Sequence, residues 1–155
     1  MRGRLLTDVC LQAYKQGWSK TFIYLMFNNT IGDRGYGIMD APGRPTLLGR
    51  YIHNLTSILA DNSSAFSPGR VNCSFAGMPS TGYTMLMQKS NGKYELVVWG
   101  EAFASKTSST ITINLSATHP VKVYDITQGP TPTRELGLVT SVQLPLTDHA
   151  MIVEF

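Results

Sequence analysis

Residues 83–100, YTMLMQKSNGKYELVVWG, limit the possible folds more than any other stretch of the chain. Two runs of strand-forming residues flank Asn91-Gly92. Asn-Gly is the strongest short-range hairpin signal, because a two-residue turn of that kind needs φ > 0 at both positions. In the first arm Tyr83, Met85 and Met87 alternate with Thr84, Leu86 and Gln88; in the second, Tyr94, Leu96 and Val98 alternate with Glu95, Val97 and Trp99. A period of two with both faces partly apolar predicts central strands of a sandwich, covered fully on one side and in part on the other.

The sequence after this hairpin continues in the same manner. Residues 62–68 are rich in Ser, Asn, Ala and Pro and mark a domain boundary. Beyond it, RVNCSF (70–75), the two arms of the hairpin, TITINL (110–115), VKVYDI (121–126), VTSVQLPL (139–146) and AMIVEF (150–155) read as seven short strands with turn signals between them. That pattern predicts an antiparallel β-sandwich over residues 70–155.

Residues 1–61 have a different architecture. Residues 2–16 read as an amphipathic helix, with Leu5, Leu6, Val9, Ala13 and the Cys10/Tyr14 pair at helical spacing and Gly17 as the residue that ends it. TFIYLMFN (21–28) is almost continuously apolar, β-branched or aromatic, as in a parallel strand buried on both faces. A loop with four glycines and two aspartates (29–44) follows, and 36–39 within it read as a short extended piece. Loops of this length are often functional. Pro45 then stands where a first helical residue would, before an apolar stripe of Leu47, Leu48, Tyr51, Ile52, Leu55, Ile58 and Leu59. One such helix–strand–loop–helix unit cannot cover both faces of its strand. Either the strand joins the sandwich at its edge, or its parallel neighbours lie on another piece of polypeptide. The second arrangement is favoured.

Composition narrows the function classes. The chain has 155 residues, 43% hydrophobic and 15% charged, with a net charge of +3. That is a globular composition, and its mild basic excess contains no run of like charges. The stripe of cations interleaved with aromatics that nucleic acid requires is missing. No run is long enough to span a membrane, and the first residues lack the apolar core of a signal peptide. Cys10 and Cys73 stand far apart without metal-ligand spacing and read as two buried thiols, with a long-range disulfide as the alternative. His53, His119 and His149 have no second ligand one turn away, so neither a metal nor any other cofactor is expected. There is no Gly-x-Ser-x-Gly elbow, and the glycines of IGDRGYG match no phosphate-binding fingerprint. Five Asn-x-Ser/Thr sequons read as chance in a Ser/Thr-rich chain.

Two stretches carry a family likeness. GWSKTFIYLMFN followed by YGIMDAPGRPTLLGRYIHNLTSILAD, which contains Gly-hydrophobic-x-Asp-x-x-Gly-x-Pro, resembles the last repeat of a clan A (β/α)8-barrel glycoside hydrolase. The segment from FSPGRVNCSF to ELVVWGEA, with the closing VKVYDITQG and SVQLPLTDHAMIVEF, resembles the C-terminal β-sandwich that packs on such barrels. The resemblance implies a mainly β chain: a C-terminal sandwich preceded by an incomplete helix–strand–helix piece of a β/α barrel. It implies O-glycosyl hydrolysis in the full-length enzyme. Retaining enzymes of that clan carry their two glutamates after the fourth and seventh barrel strands. This chain corresponds to sequence beyond the seventh, so it holds no catalytic residue and should be inactive alone.

In the resembled enzymes the last loop rims the substrate cleft at the C-terminal face of the barrel. On that ground Asn28, Asn29, Asp33 and Arg34 would hydrogen-bond sugar hydroxyls, with Tyr36 or Trp18 as a stacking platform. Read from the residues alone, Asp33 turns its loop and Asp40 fixes the turn before Ala41-Pro42-Gly43. Trp99 is either a sugar-stacking or a core aromatic, and its alternation with Val97 favours the core. The partners implied are carbohydrate in the full-length enzyme and, for this chain, the missing barrel polypeptide or a second copy paired through the exposed strand. Two other readings remain. One is a stand-alone carbohydrate-binding or interaction module, which would carry a row of exposed aromatics on one sheet face. The other is a truncated gene product with no independent role.

Overall fold

A computed structural model of the chain describes residues 2–28, 37–63, 67–100 and 109–155. Helix α1 spans Arg2–Lys15, and short strands β1 (Met39–Ala41) and β2 (Arg44–Pro45) precede helix α2 (Leu47–Ile58). Six strands follow: β3 (Cys73–Ala76), β4 (Gly82–Gln88), β5 (Tyr94–Gly100), β6 (Ser109–Asp125), β7 (Arg134–Leu146) and β8 (Met151–Glu154). They form one curled antiparallel sheet in the order β3-β6-β8-β5-β4, with β7 on β6. The chain is mainly β, as expected.

The hairpin forms, from Gly82 opposite Gly100 to Gln88 opposite Tyr94. Its turn differs from the two-residue type. Only Gly92 has a positive φ, 86°; its N–H donates to the Lys89 carbonyl, and the Lys89 N–H donates to the Lys93 carbonyl. This is a three-residue loop with glycine in the left-handed position, and Asn91 serves through its side chain, which accepts from the Lys93 N–H at 3.0 Å.

TITINL and VKVYDI are not two strands. They are the halves of the 17-residue β6, whose pairing with β7 shifts register between Asn114 and His119 and again at Pro120/Val121. The first half pairs with β3 and the second with β8. Proline lacks a ladder donor, so the strand bends at His119-Pro120 without ending. The bend lets Ile111, Ile113 and Leu115 of the first half share a core with Val121 and Val123 of the second, and with Leu96, Val98, Val153 and Phe155.

The opposite face of β5 and β8 is covered by the helices. Leu11 of α1 and Leu55 and Ile58 of α2 pack with Val97, Trp99, Tyr124, Ile126 and Ile152. Asn54 of α2 donates to the Ile126 carbonyl at 2.8 Å, which ties the helix to the end of β6. β5 is therefore covered completely on both faces, more than the sequence pattern predicts.

Helix α1 ends as expected. Gly17 takes φ 88°, the Trp18 N–H reaches the Ala13 carbonyl and the Gly17 N–H the Tyr14 carbonyl. These bonds are those of a Schellman cap. The face α1 buries is not the expected one: Gly3, Thr7, Asp8 and Leu11 turn inward, while Leu5 and Val9 are exposed. Close approach to α2 selects Gly3, where a Cβ would lie 3.2 Å from the Leu48 Cα. Helix α2 starts two residues later than Pro45 predicts, because Thr46 caps it, its Oγ1 accepting from the Gly49 N–H at 3.2 Å.

The largest difference concerns residues 21–28. They make no buried strand. They bend at Tyr24 and Met26 and are joined to β1 by a single parallel bridge, Phe27 opposite Met39. Phe22 is 89% exposed and Tyr24 78%. The described residues supply no further parallel strand, so the apolar run has nothing to be buried against.

Candidate functional site

Of the residues expected to face sugar, Asn28 lies among the described residues; Asn29, Asp33, Arg34 and Tyr36 lie outside them. Asn28 is held on several sides. Its backbone N–H donates to the Met39 carbonyl at 3.0 Å, its Nδ2 donates to Asp40 Oδ1 at 2.5 Å, and its Oδ1 accepts from the Gly37 N–H at 2.7 Å. Thr46 Oγ1 continues the network by donating towards the Gly37 and Ile38 carbonyls. Asn28 thus latches the extended segment to β1 and the start of α2. Asp40 is a partner in this latch. Trp18 is exposed.

Trp99 is fully buried and stacked on Tyr83, with ring centroids 5.7 Å apart and planes 19° from parallel. The Lys15 ammonium lies 5.6 Å from the Tyr83 ring and 6.0 Å from that of Trp99. Trp99 therefore has no face for a sugar. It is the core aromatic that its alternation favours.

Glu95 and Glu154 stand directly opposite each other on β5 and β8. Each is held by a lysine at 2.8 Å, Lys89 for Glu95 and Lys93 for Glu154. Burial raises Glu95 above the usual carboxylate range, and Lys89 opposes that shift. Like charges facing each other across a ladder destabilise it, and the two lysines offset this. A groove of about 520 Å³ beside Glu95 is lined by Tyr14, Lys15, Leu59, Met85 and Met87, and a second of about 560 Å³ lies between α2 and the turn after β6, beside Arg50 and His53.

A polar cluster that the sequence does not announce fastens α1 to the sheet. His149, almost fully buried, places Nε2 3.2 Å from Asp125 Oδ1 and Nδ1 3.3 Å from Asp148 Oδ1. Thr147 Oγ1 sits 2.9 Å from Nδ1, and Arg4 of α1 donates to Asp148 at 2.9 Å. Burial pushes Asp125 up, but hydrogen bonds from His149 and Thr127 carry it well below the usual range. Asp148 is lowered in the same way by His149 and Arg4 against its partial burial. The adjacent Asp148-His149 is visible in the sequence. Asp125 and Arg4, 144 residues from Asp148, are brought in only by the fold. The described residues contain no group of three ligand-type side chains placed to hold a metal ion. Cys10 and Cys73 are free and half-buried, and burial raises both thiols.

No protein-family profile matches this chain, and a search of curated proteins finds no match either.

Proposed function

We propose that this chain is the C-terminal region of a (β/α)8-barrel glycoside hydrolase, in which the curled sheet is the accessory β-sandwich and α1, residues 21–28 and α2 complete the barrel wall. On this reading it hydrolyses no glycoside alone. Its work in the longer enzyme is to close the barrel, to place Asn28 at the cleft rim, and to stabilise the whole. The observation that carries the reading is an imbalance. The central strands β5 and β8 have both faces covered, whereas the helix–segment–helix unit turns Leu5, Val9, Phe22, Tyr24 and Met26 outward. Exposed apolar surface of this kind marks a missing partner. The stand-alone carbohydrate-binding reading is less well supported, since among the described residues the large hydrophobics exposed on the sheet are Leu86 and Leu138, neither of them aromatic.

The test is to read the coding sequence upstream of Met1 in all frames, express the longest product, and assay it with aryl glycosides beside the isolated chain. The expected result is hydrolysis by the long product alone, lost when residues 1–155 are deleted. An upstream region without a barrel, or a long product indifferent to that deletion, overturns the reading.

A further inference from the structure

Strand β4 carries a central strand's sequence at the edge of the sheet. It pairs with β5 on one side and, among the described residues, with no strand on the other. The bonds of β5 fix which backbone groups of β4 point outward. Tyr94 exchanges both its bonds with Phe155, and Gly100 donates to the Thr147 carbonyl, so their opposites, Gln88 and Gly82, turn away from β5. Antiparallel pairs alternate, which puts Thr84 and Leu86 in the same outward class. Among the described residues the N–H and C=O groups of Thr84 and Leu86 have no partner. Folded proteins blunt free edges by shortness, charge, proline or a bulge. Strand β3 has four residues, and β7 carries Arg134, Glu135 and Pro145. Strand β4 has none of these devices: it is seven residues, GYTMLMQ, paired with β5 without a register shift.

We infer that β4 pairs antiparallel with β4 of a second copy of this chain, across a two-fold axis at Met85. That register overlaps the whole strand. Thr84 of each copy then faces Leu86 of the other, and their outward groups exchange bonds. Tyr83 faces Met87, which sets a thioether beside an aromatic ring. Charge selects a copy of the same chain as the occupant. Lys15 lies 5.6 Å from the Tyr83 ring at the start of β4, and Asp61 accepts from the Ser90 N–H at 2.6 Å beyond its end. Both are exposed and line one groove on the helix-covered face, together with Met85 and Met87. Antiparallel pairing sets the start of one strand beside the end of the other, so Lys15 of each copy approaches Asp61 of its mate. The match of cation to anion is made twice by symmetry, and such complementarity fixes register. The inference does not rest on the function proposed above.

Sedimentation equilibrium of the full chain is expected to show a dimer. Leu86→Lys should weaken it about ten-fold while amide exchange in β5 and β8 stays native. Lys15→Glu should weaken it as well, and adding Asp61→Lys to that variant should restore it. Cross-linking reads the register. Met85 faces its own copy in a non-hydrogen-bonded pair, where Cα atoms stand about 4.5 Å apart, within reach of a disulfide. In a chain carrying Cys10→Ser and Cys73→Ser, Met85→Cys is expected to form an intermolecular disulfide on mild oxidation. Leu86→Cys, which faces Thr84, is expected to form far less. A chain that stays monomeric at millimolar concentration overturns the inference. So does a dimer indifferent to Leu86→Lys, a dimer abolished by Phe22→Ser, Tyr24→Ser and Met26→Ser together, or equal cross-linking at the two positions. None of these outcomes bears on whether a barrel is encoded upstream.

Discussion

Residues 21–28 and strand β5 look alike as sequence and differ completely in the folded chain. TFIYLMFN and YELVVWG are both runs of β-branched, aromatic and long apolar residues. β5 has β4 on one edge, β8 on the other, one core on each face, and every residue from Glu95 to Gly100 buried. The earlier run has one bridge and leaves Phe22, Tyr24, Met26 and Phe27 exposed. An apolar strand pattern therefore states a requirement for neighbours; the rest of the polypeptide decides whether the requirement is met.

Substitution can test how deep that difference runs. The largest effect should come from Trp99→Ala, which empties a fully buried site and should cost about 3–5 kcal/mol in urea unfolding. A loss below about 1 kcal/mol would mean that the β5 core is as loose as the exposed segment. Next is Lys89→Met. It strands the Glu95 carboxylate, with a side chain 2% exposed, and should cost about 3 kcal/mol at pH 7. Because Glu95 titrates above its unfolded value, its favourable contribution is present at low pH and is lost as pH rises through the folded pKa. The deficit of Lys89→Met should accordingly shrink between pH 7 and pH 5, a trend visible in the urea midpoints.

Asp125→Asn should cost about 1–2 kcal/mol at pH 7 by weakening the clasp on His149. Here the sign reverses. Asp125 lies below its unfolded value, so its stabilisation is complete above about pH 4 and disappears as pH falls through the folded pKa. The wild type should lose stability on acidification below pH 4 more steeply than Asp125→Asn does. Parallel curves would remove the clasp from the account of how α1 is held. The smallest effect belongs to the exposed run: Phe22→Ser, Tyr24→Ser and Met26→Ser together should change the unfolding free energy by no more than about 0.5 kcal/mol. A large loss would show that the segment is packed in solution after all, and the contrast with β5 would collapse.

The hairpin was legible because its signals are local: alternation in both arms and a glycine at the one position that needs a positive φ. The core role of Trp99 was legible from the same alternation. The continuity of β6 was not, since His119-Pro120 reads as a break and only pairing with β7 on one side and with β3 and β8 on the other carries the strand through it. The facing of α1 was misread for a related reason. Leu5 and Val9 form the more apolar stripe, yet close packing at Gly3 against α2 and the Arg4–Asp148 bond turn Thr7 and Asp8 inward. Of the candidate site, the pattern around Asp40 was apparent, but its pairing with Asn28 across twelve residues was not. The His149 cluster joins α1, the end of β6 and the turn before β8, and no local pattern spans such distances.

The place of β8 has a consequence for synthesis. Among the described strands it leaves the ribosome after all the others, yet it lies between β5 and β6, which among the described residues pair with each other nowhere. Until residues 151–154 emerge, the β4–β5 hairpin and the β6–β7 ribbon are two separate pieces with unfilled edges, and neither helix has a finished surface to settle on. The sheet therefore waits for residues 151–154 before it becomes one cooperative unit, and through that interval its strand edges are open to other chains.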